Sequence, residues 1–112
     1  MILFFDEDLG TSVPRALHLV GISTEWVSSS SRVRKGTPDE IWIPQVGELG
    51  FLVLSCNTAI LKAQAQHELL IKHNVGAVFL TSGQERKADV LRLVLNKLHW
   101  LREIDGQVQR KR

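Results

Sequence analysis

Four short strand-like runs, at residues 2–5, 23–27, 51–55 and 75–80, alternate along this chain with segments long enough to form helices. The runs are too short for buried helices. The first, third and fourth are continuous rather than alternating in apolar residues, which suits strands covered on both faces. Strands that alternate with helices pair in parallel through crossovers. The pattern therefore predicts four βα units in a small three-layer α/β/α domain around a four-stranded parallel sheet. Right-handed crossovers bring the carboxyl end of every strand to one edge, the edge at which open α/β folds bind ligands and metals. With 112 residues the chain holds one such domain and one core.

Between the strands, helix signals are explicit. Thr11 or Ser12 caps a first helix with Pro14 in its first turn, Ala16, Leu17 and Val20 at apolar spacing, and Gly21 at its end. Thr37-Pro38-Asp39-Glu40 reads as a capping box with threonine at the cap and proline at the first position, although Pro44 predicts a short or bent helix. Residues 59–73 form a third helix with Ile60, Leu61, Ala63, Leu70 and Ile71 inward, ended at Asn74. Ser82-Gly83-Gln84-Glu85 opens a long fourth helix to about Arg102, with Val90, Leu91, Val94, Leu95, Leu98 and Leu101 on its inner face. Gly106 and the polar residues after it read as a frayed end, which sets the domain at 1–106 and a basic tail at 107–112.

The shared edge collects the residues that follow each strand: Asp6, Glu7 and Asp8 after the first, Ser28 after the second, Asn57 after the third, and Thr81 and Ser82 after the fourth. Three crowded acids repel one another unless positive charge lies nearby. Asp39, at a helix start, is placed to project toward them, whereas Glu40 is accounted for by capping and the helix dipole. Carboxylates from separate elements that meet at one point call for a hard cation, and Mg²⁺ or Mn²⁺ prefers oxygen ligands. Such an ion activates water and neutralises a phosphodiester.

Net charge is only +2, but Arg32, Arg34 and Lys35 share one serine-rich loop and Arg110, Lys111 and Arg112 end the chain. A basic loop near an acidic edge suits a nucleic-acid backbone. Trp26 and Trp42 are candidates for stacking on bases, against the commoner role of an aromatic in the core. The lone Cys56 excludes a disulfide framework within the monomer and fits a reducing cytoplasm. No signal peptide is readable, and no apolar segment reaches the length of a membrane span.

Other chemistries fail on spacing. His67-Glu68 and His73 do not make the His-Glu-x-x-His pattern, which needs histidines four apart. Gly47 and Gly50 lack the downstream Lys-Ser/Thr of a phosphate loop, and no Gly-x-Ser-x-Gly elbow is present. A receiver domain requires an aspartate where Asn57 stands and a lysine after a final strand.

The order of a strand ending Phe-Phe-Asp-Glu-Asp-Leu, a Thr-Pro-Asp-Glu helix start, Phe-Leu-Val-Leu-Ser-Cys-Asn and a closing Val-Phe-Leu-Thr-Ser-Gly resembles the PIN-like nucleases, a superfamily that includes the VapC-type toxins of toxin–antitoxin pairs. The resemblance covers nearly the whole chain. It implies a metal-dependent endoribonuclease acting on RNA in the cytoplasm with Mg²⁺ or Mn²⁺, with a cognate antitoxin or a second copy of the chain as its protein partner. Asp6, Asp39, Asp8 and Glu40 are the implied catalytic acids; Asp6, Asp39 and Asn57 the implied metal ligands. Arg32, Arg34, Lys35, Thr81 and Ser82 are the implied contacts to RNA. Asn57 departs from the pattern, because the family has a third acid there, so a catalytically impaired domain or a pseudo-receiver used for docking is the competing reading.

Overall fold

The computed structural model describes residues 1–6, 9–26, 37–56, 60–80 and 87–108. The chain order is β1 (Leu3–Phe5), α1 (Ser12–Leu19), β2 (Thr24–Trp26), α2 (Asp39–Glu48), β3 (Leu52–Cys56), α3 (Ile60–Lys72), β4 (Ala77–Leu80), α4 (Lys87–Asn96) and α5 (Leu98–Gln107). The four strands form one parallel sheet in the order β2-β1-β3-β4. The expected α/β/α architecture is present.

Strand alternation divides the core in two. Leu3 and Phe5 of β1 and Leu52 and Leu54 of β3 face one side, where they meet Val13 and Leu17 of α1, Val90 and Val94 of α4, and Leu101 of α5. Phe4 and Val53 face the other side, against Trp42, Ile43 and Val46 of α2 and Leu70 of α3. Both central strands are thus apolar on both faces, which is why they read as continuous runs.

Three helices end in the same way. The amide of Ile22 bonds the Leu17 carbonyl at 3.0 Å, that of Phe51 the Val46 carbonyl at 3.0 Å, and that of Val75 the Leu70 carbonyl at 2.9 Å. This six-to-one closure requires a left-handed residue, supplied by Gly21 (φ 91°), Gly50 (φ 74°) and Asn74 (φ 55°). In each case the two bonded residues also pack in the same core half. The closure therefore aims the chain from helix into the next strand.

Several helix expectations change. In α2, Pro38 takes the cap position in an extended conformation (ψ 149°), and its carbonyl accepts from the amides of Ile41 and Trp42. Asp39 and Glu40 are consequently the first two helical residues, and Glu40 stands one place short of the capping-box position. Pro44 lies inside α2 without ending it. An interior proline costs about 3 kcal/mol, and the burial of Trp42, Ile43 and Val46 on one face offsets that cost. The expected long fourth helix is two, α4 and α5, separated at Lys97 (φ −101°, ψ 8°). Leu101 and Ile104 join Val90 and Val94 in one core half, while Leu95 is exposed rather than inward.

α5 continues through Gly106 to Gln107 where a frayed end was expected. Val20 and Ile71 face solvent, against expectation. The Ser82–Glu85 box, the tail from 109 to 112, and the side chains of Ile60, Leu61 and Ala63 lie outside the described residues.

Candidate active site

Asp6 follows β1 directly and is buried, at 6% exposure. Its amide bonds the Leu54 carbonyl at 2.9 Å, extending the β1–β3 ladder by one rung, and its own carbonyl accepts from Leu9 at 3.0 Å. That geometry turns the chain sharply after the strand and holds the carboxylate at the sheet edge. The Ser55 hydroxyl of β3 donates to Asp6 Oδ2 at 2.8 Å, and Ser55 is itself buried. A buried carboxylate needs such donors, because desolvation otherwise penalises its charge.

Alternation fixes the face. Asp6 is two residues beyond Phe4, and Ser55 two beyond Val53, so both belong to the side of the sheet covered by α2 and α3.

The same face carries Asp39. Trp42 stacks on Phe4 with ring centroids 5.5 Å apart and planes inclined at 29°. From this shared anchor, Asp39 is three residues toward the start of α2, while Asp6 is two residues toward the end of β1. In a right-handed βαβ crossover α2 runs antiparallel to the strands, so both steps lead to the same edge. The indole Nε1–H of Trp42 donates to Asp39 Oδ1 at 2.8 Å. Asp39 is half-buried, whereas the adjacent Glu40 is exposed, about 100° around the helix. Of the two acids at the helix start, Asp39 is the one bonded to Trp42, on the face that packs against β1.

These two carboxylates do not complete a cation site. Among the described residues, no three His, Cys, Asp or Glu side chains gather closely enough to hold a metal ion. Glu7, Asp8 and Asn57, the remaining candidate ligands, lie outside the described residues, as do Arg32, Arg34, Lys35, Thr81 and Ser82. The donor set present, carboxylate oxygen from a strand end and from a helix start, is of the hard type that Mg²⁺ and Mn²⁺ accept.

Sequence reasoning missed three participants. Ser55 carries a signal in retrospect, as a polar residue at the last inward place of an apolar strand. Trp42, a candidate for base stacking against the commoner core role, takes the core role: it is 6% exposed, packed between α2 and β1. Gln66 of α3 is buried at 4% exposure, and its Nε2 has no hydrogen-bond partner among the described residues. It stands one turn before Leu70, on the same side of the sheet as the two acids.

A family profile described as "PIN like domain" matches residues 1–82, which is most of the chain. The chain belongs to the PIN-like domain family. The match takes in all four strands and every candidate site residue, and ends before α4. This is a nuclease-type family, whose members in general act on nucleic acid with divalent metals. No curated protein and no solved structure matches the chain. Among the described residues of this PIN-like domain, no helix is long and apolar enough to cross a membrane.

Proposed function

We propose that this PIN-like domain is a Mg²⁺- or Mn²⁺-dependent endoribonuclease, the cytoplasmic toxin component of a type II toxin–antitoxin pair. The observation that carries the reading is the alignment of buried Asp6 and half-buried Asp39 on one face at one edge of the sheet, each with one oxygen held by a donor from the fold. Asp6 and Asp39 would hold the ion, with Asp8 and Asn57 as further ligands, while Glu40, exposed at the helix start, would not touch it. When bound, the cation would acidify a water and offset the charge of the scissile phosphate. The protein's own part is to hold carboxylate oxygens in fixed positions, because catalysis of phosphodiester hydrolysis rests on positioning and charge. Arg32, Arg34 and Lys35 would contact the RNA backbone and Thr81 or Ser82 a phosphate oxygen, with affinity that falls as salt rises.

Leu93, Leu95 and Trp100 are exposed by 38%, 44% and 47%. Leu93 and Trp100 line an apolar cleft of about 200 Å³ between β4 and the last two helices, on the side of the sheet away from the acids. An apolar patch of this kind supports docking of an antitoxin or a second copy.

Labelled single-stranded RNA incubated with the purified chain tests the reading. Cleavage is expected in Mn²⁺, to be abolished by chelator, and to be kept by Glu40→Gln but lost in Asp39→Asn. Asn57, which brings no charge, favours the alternative of an impaired domain kept for binding. RNA left intact under all divalent ions would make that alternative the account. Induced expression should arrest growth, and Asp6→Asn should relieve the arrest if the toxin assignment holds.

A further inference from the structure

We infer that Lys87, seated against Gly10 at the carboxyl edge of the sheet, is a contact to a backbone phosphate of the nucleic-acid substrate. The inference rests on the nucleic-acid reading of this edge and needs no bound cation. Lys87 lies beyond the residues 1–82 that the family profile matches.

The chain that leaves Asp6 leads directly to this lysine. The Asp6 carbonyl accepts from the Leu9 amide at 3.0 Å, and Gly10 follows. Gly10 has φ 69°, a left-handed conformation that side chains disfavour. It also lacks room for one, because a Cβ built there would stand 2.9 Å from Lys87 Nζ. A glycine at this position therefore admits the ammonium against the backbone of the turn. The helix fixes the placement from its own side. α4 follows β4 and so starts at the carboxyl edge, and its Val90 and Val94 pack with Val13 and Leu17 of α1 in one core half. Lys87 stands one turn before Val90, at the end of α4 nearest that edge.

The helix itself gives no reason for a cation here. Lys87 is exposed at the first position of α4, where the positive end of the helix dipole disfavours it. Among the described residues it forms no ion pair. The edge as a whole does give a reason. Asp6 and Asp39 place negative charge on the side covered by α2 and α3, and a phosphodiester chain approaching them is repelled unless positive charge offsets it. Lys87 supplies a compact charge on a flexible stem, on the side of the sheet covered by α1 and α4. A phosphate held there leaves the next stretch of backbone lying across the edge, over the acids. Lys87 thus serves binding and register, and the carboxylates serve the chemistry.

The test is titration of labelled single-stranded RNA with the full chain, followed by fluorescence anisotropy, in chelator and over a series of KCl concentrations. Each phosphate contact to a single strand contributes about 0.7 to the slope of log affinity against log salt. Lys87→Gln is expected to flatten the slope by about that amount and to weaken binding alike for unrelated sequences. Lys87→Arg, which keeps the charge, should restore the slope. Lys72→Gln makes the same change of charge at the end of α3, at the opposite edge of the sheet, and should leave the slope as in wild type. RNA binding whose slope Lys87→Gln leaves unchanged, or Lys72→Gln flattens equally, overturns the role of Lys87 while the nucleic-acid reading stands. Wild type that binds no RNA at any salt overturns both.

Discussion

Asp6→Asn is expected to lower RNA cleavage by at least about a hundredfold, equivalent to roughly 2.7 kcal/mol of transition-state stabilisation, while the protein stays folded. The amide retains an oxygen that can accept from Ser55, so the buried hydroxyl keeps a partner and the turn after β1 keeps its backbone bonds. What is removed is the negative charge at the sheet edge. Asp6→Ala should behave differently. It loses the same activity and also leaves the Ser55 hydroxyl without its acceptor, a penalty of about 1–3 kcal/mol in stability. Cleavage assays alongside urea denaturation separate the two effects. A variant Asp6→Asn that cleaves RNA at the wild-type rate would remove this carboxylate from the chemistry.

Phe4→Ala is expected to destabilise the fold by about 3–5 kcal/mol, the usual range for truncating a buried aromatic ring. Phe4 is 2% exposed and touches both Trp42 and Phe51. Its loss leaves a cavity between β1 and α2, at the point where the two acids are brought into line. Domains of this size have only about 5–15 kcal/mol of stability in total, so the variant should unfold at markedly lower urea with an unchanged slope. Cation affinity should fall with it, since Trp42 loses the ring on which it stacks. A loss below about 1 kcal/mol would mean that the stack does not hold α2 on the sheet.

The parallel sheet was legible because Leu3, Phe4, Phe5, Leu52, Val53 and Leu54 are apolar without interruption, and such runs arise only where both faces of a strand are covered. The helix ends were legible for a similar local reason: Gly21 and Asn74 occupy positions whose backbone favours them. Where packing outweighed local preference, the sequence misled. Pro44 predicted a short or bent helix, and α2 is ten residues long with Pro44 in its interior, held by three buried side chains around it. The periodicity of residues 87–101 continued smoothly, and Leu101 and Ile104 join Val90 and Val94 in one core half as it implies, yet the helix is interrupted at Lys97 (φ −101°, ψ 8°), which no local pattern announced.

At the site, the placement of Asp6 followed from its position after a strand. The partners of the two acids did not. Ser55 comes from a strand 49 residues away, a long-range contact that no local pattern encodes. Trp42 was legible as an aromatic of the core or a base-stacking surface, and its bond to Asp39 depends on where its N–H points. The preference for Asp39 over Glu40 was legible, because capping accounts for Glu40, but the bond from the Trp42 indole to Asp39 was not.

On the proposed function, Asp6 and Asp39 are both ligands of one cation. Mn²⁺ binding, followed by the electron paramagnetic resonance of the free ion, tests it directly in wild type, Asp6→Asn, Asp39→Asn and the double variant. Ligands of one ion act as a unit, so each single substitution should remove most of the binding, and the double variant should be little worse than either single. Losses that simply add, or full Mn²⁺ binding retained by either single variant, would contradict the account.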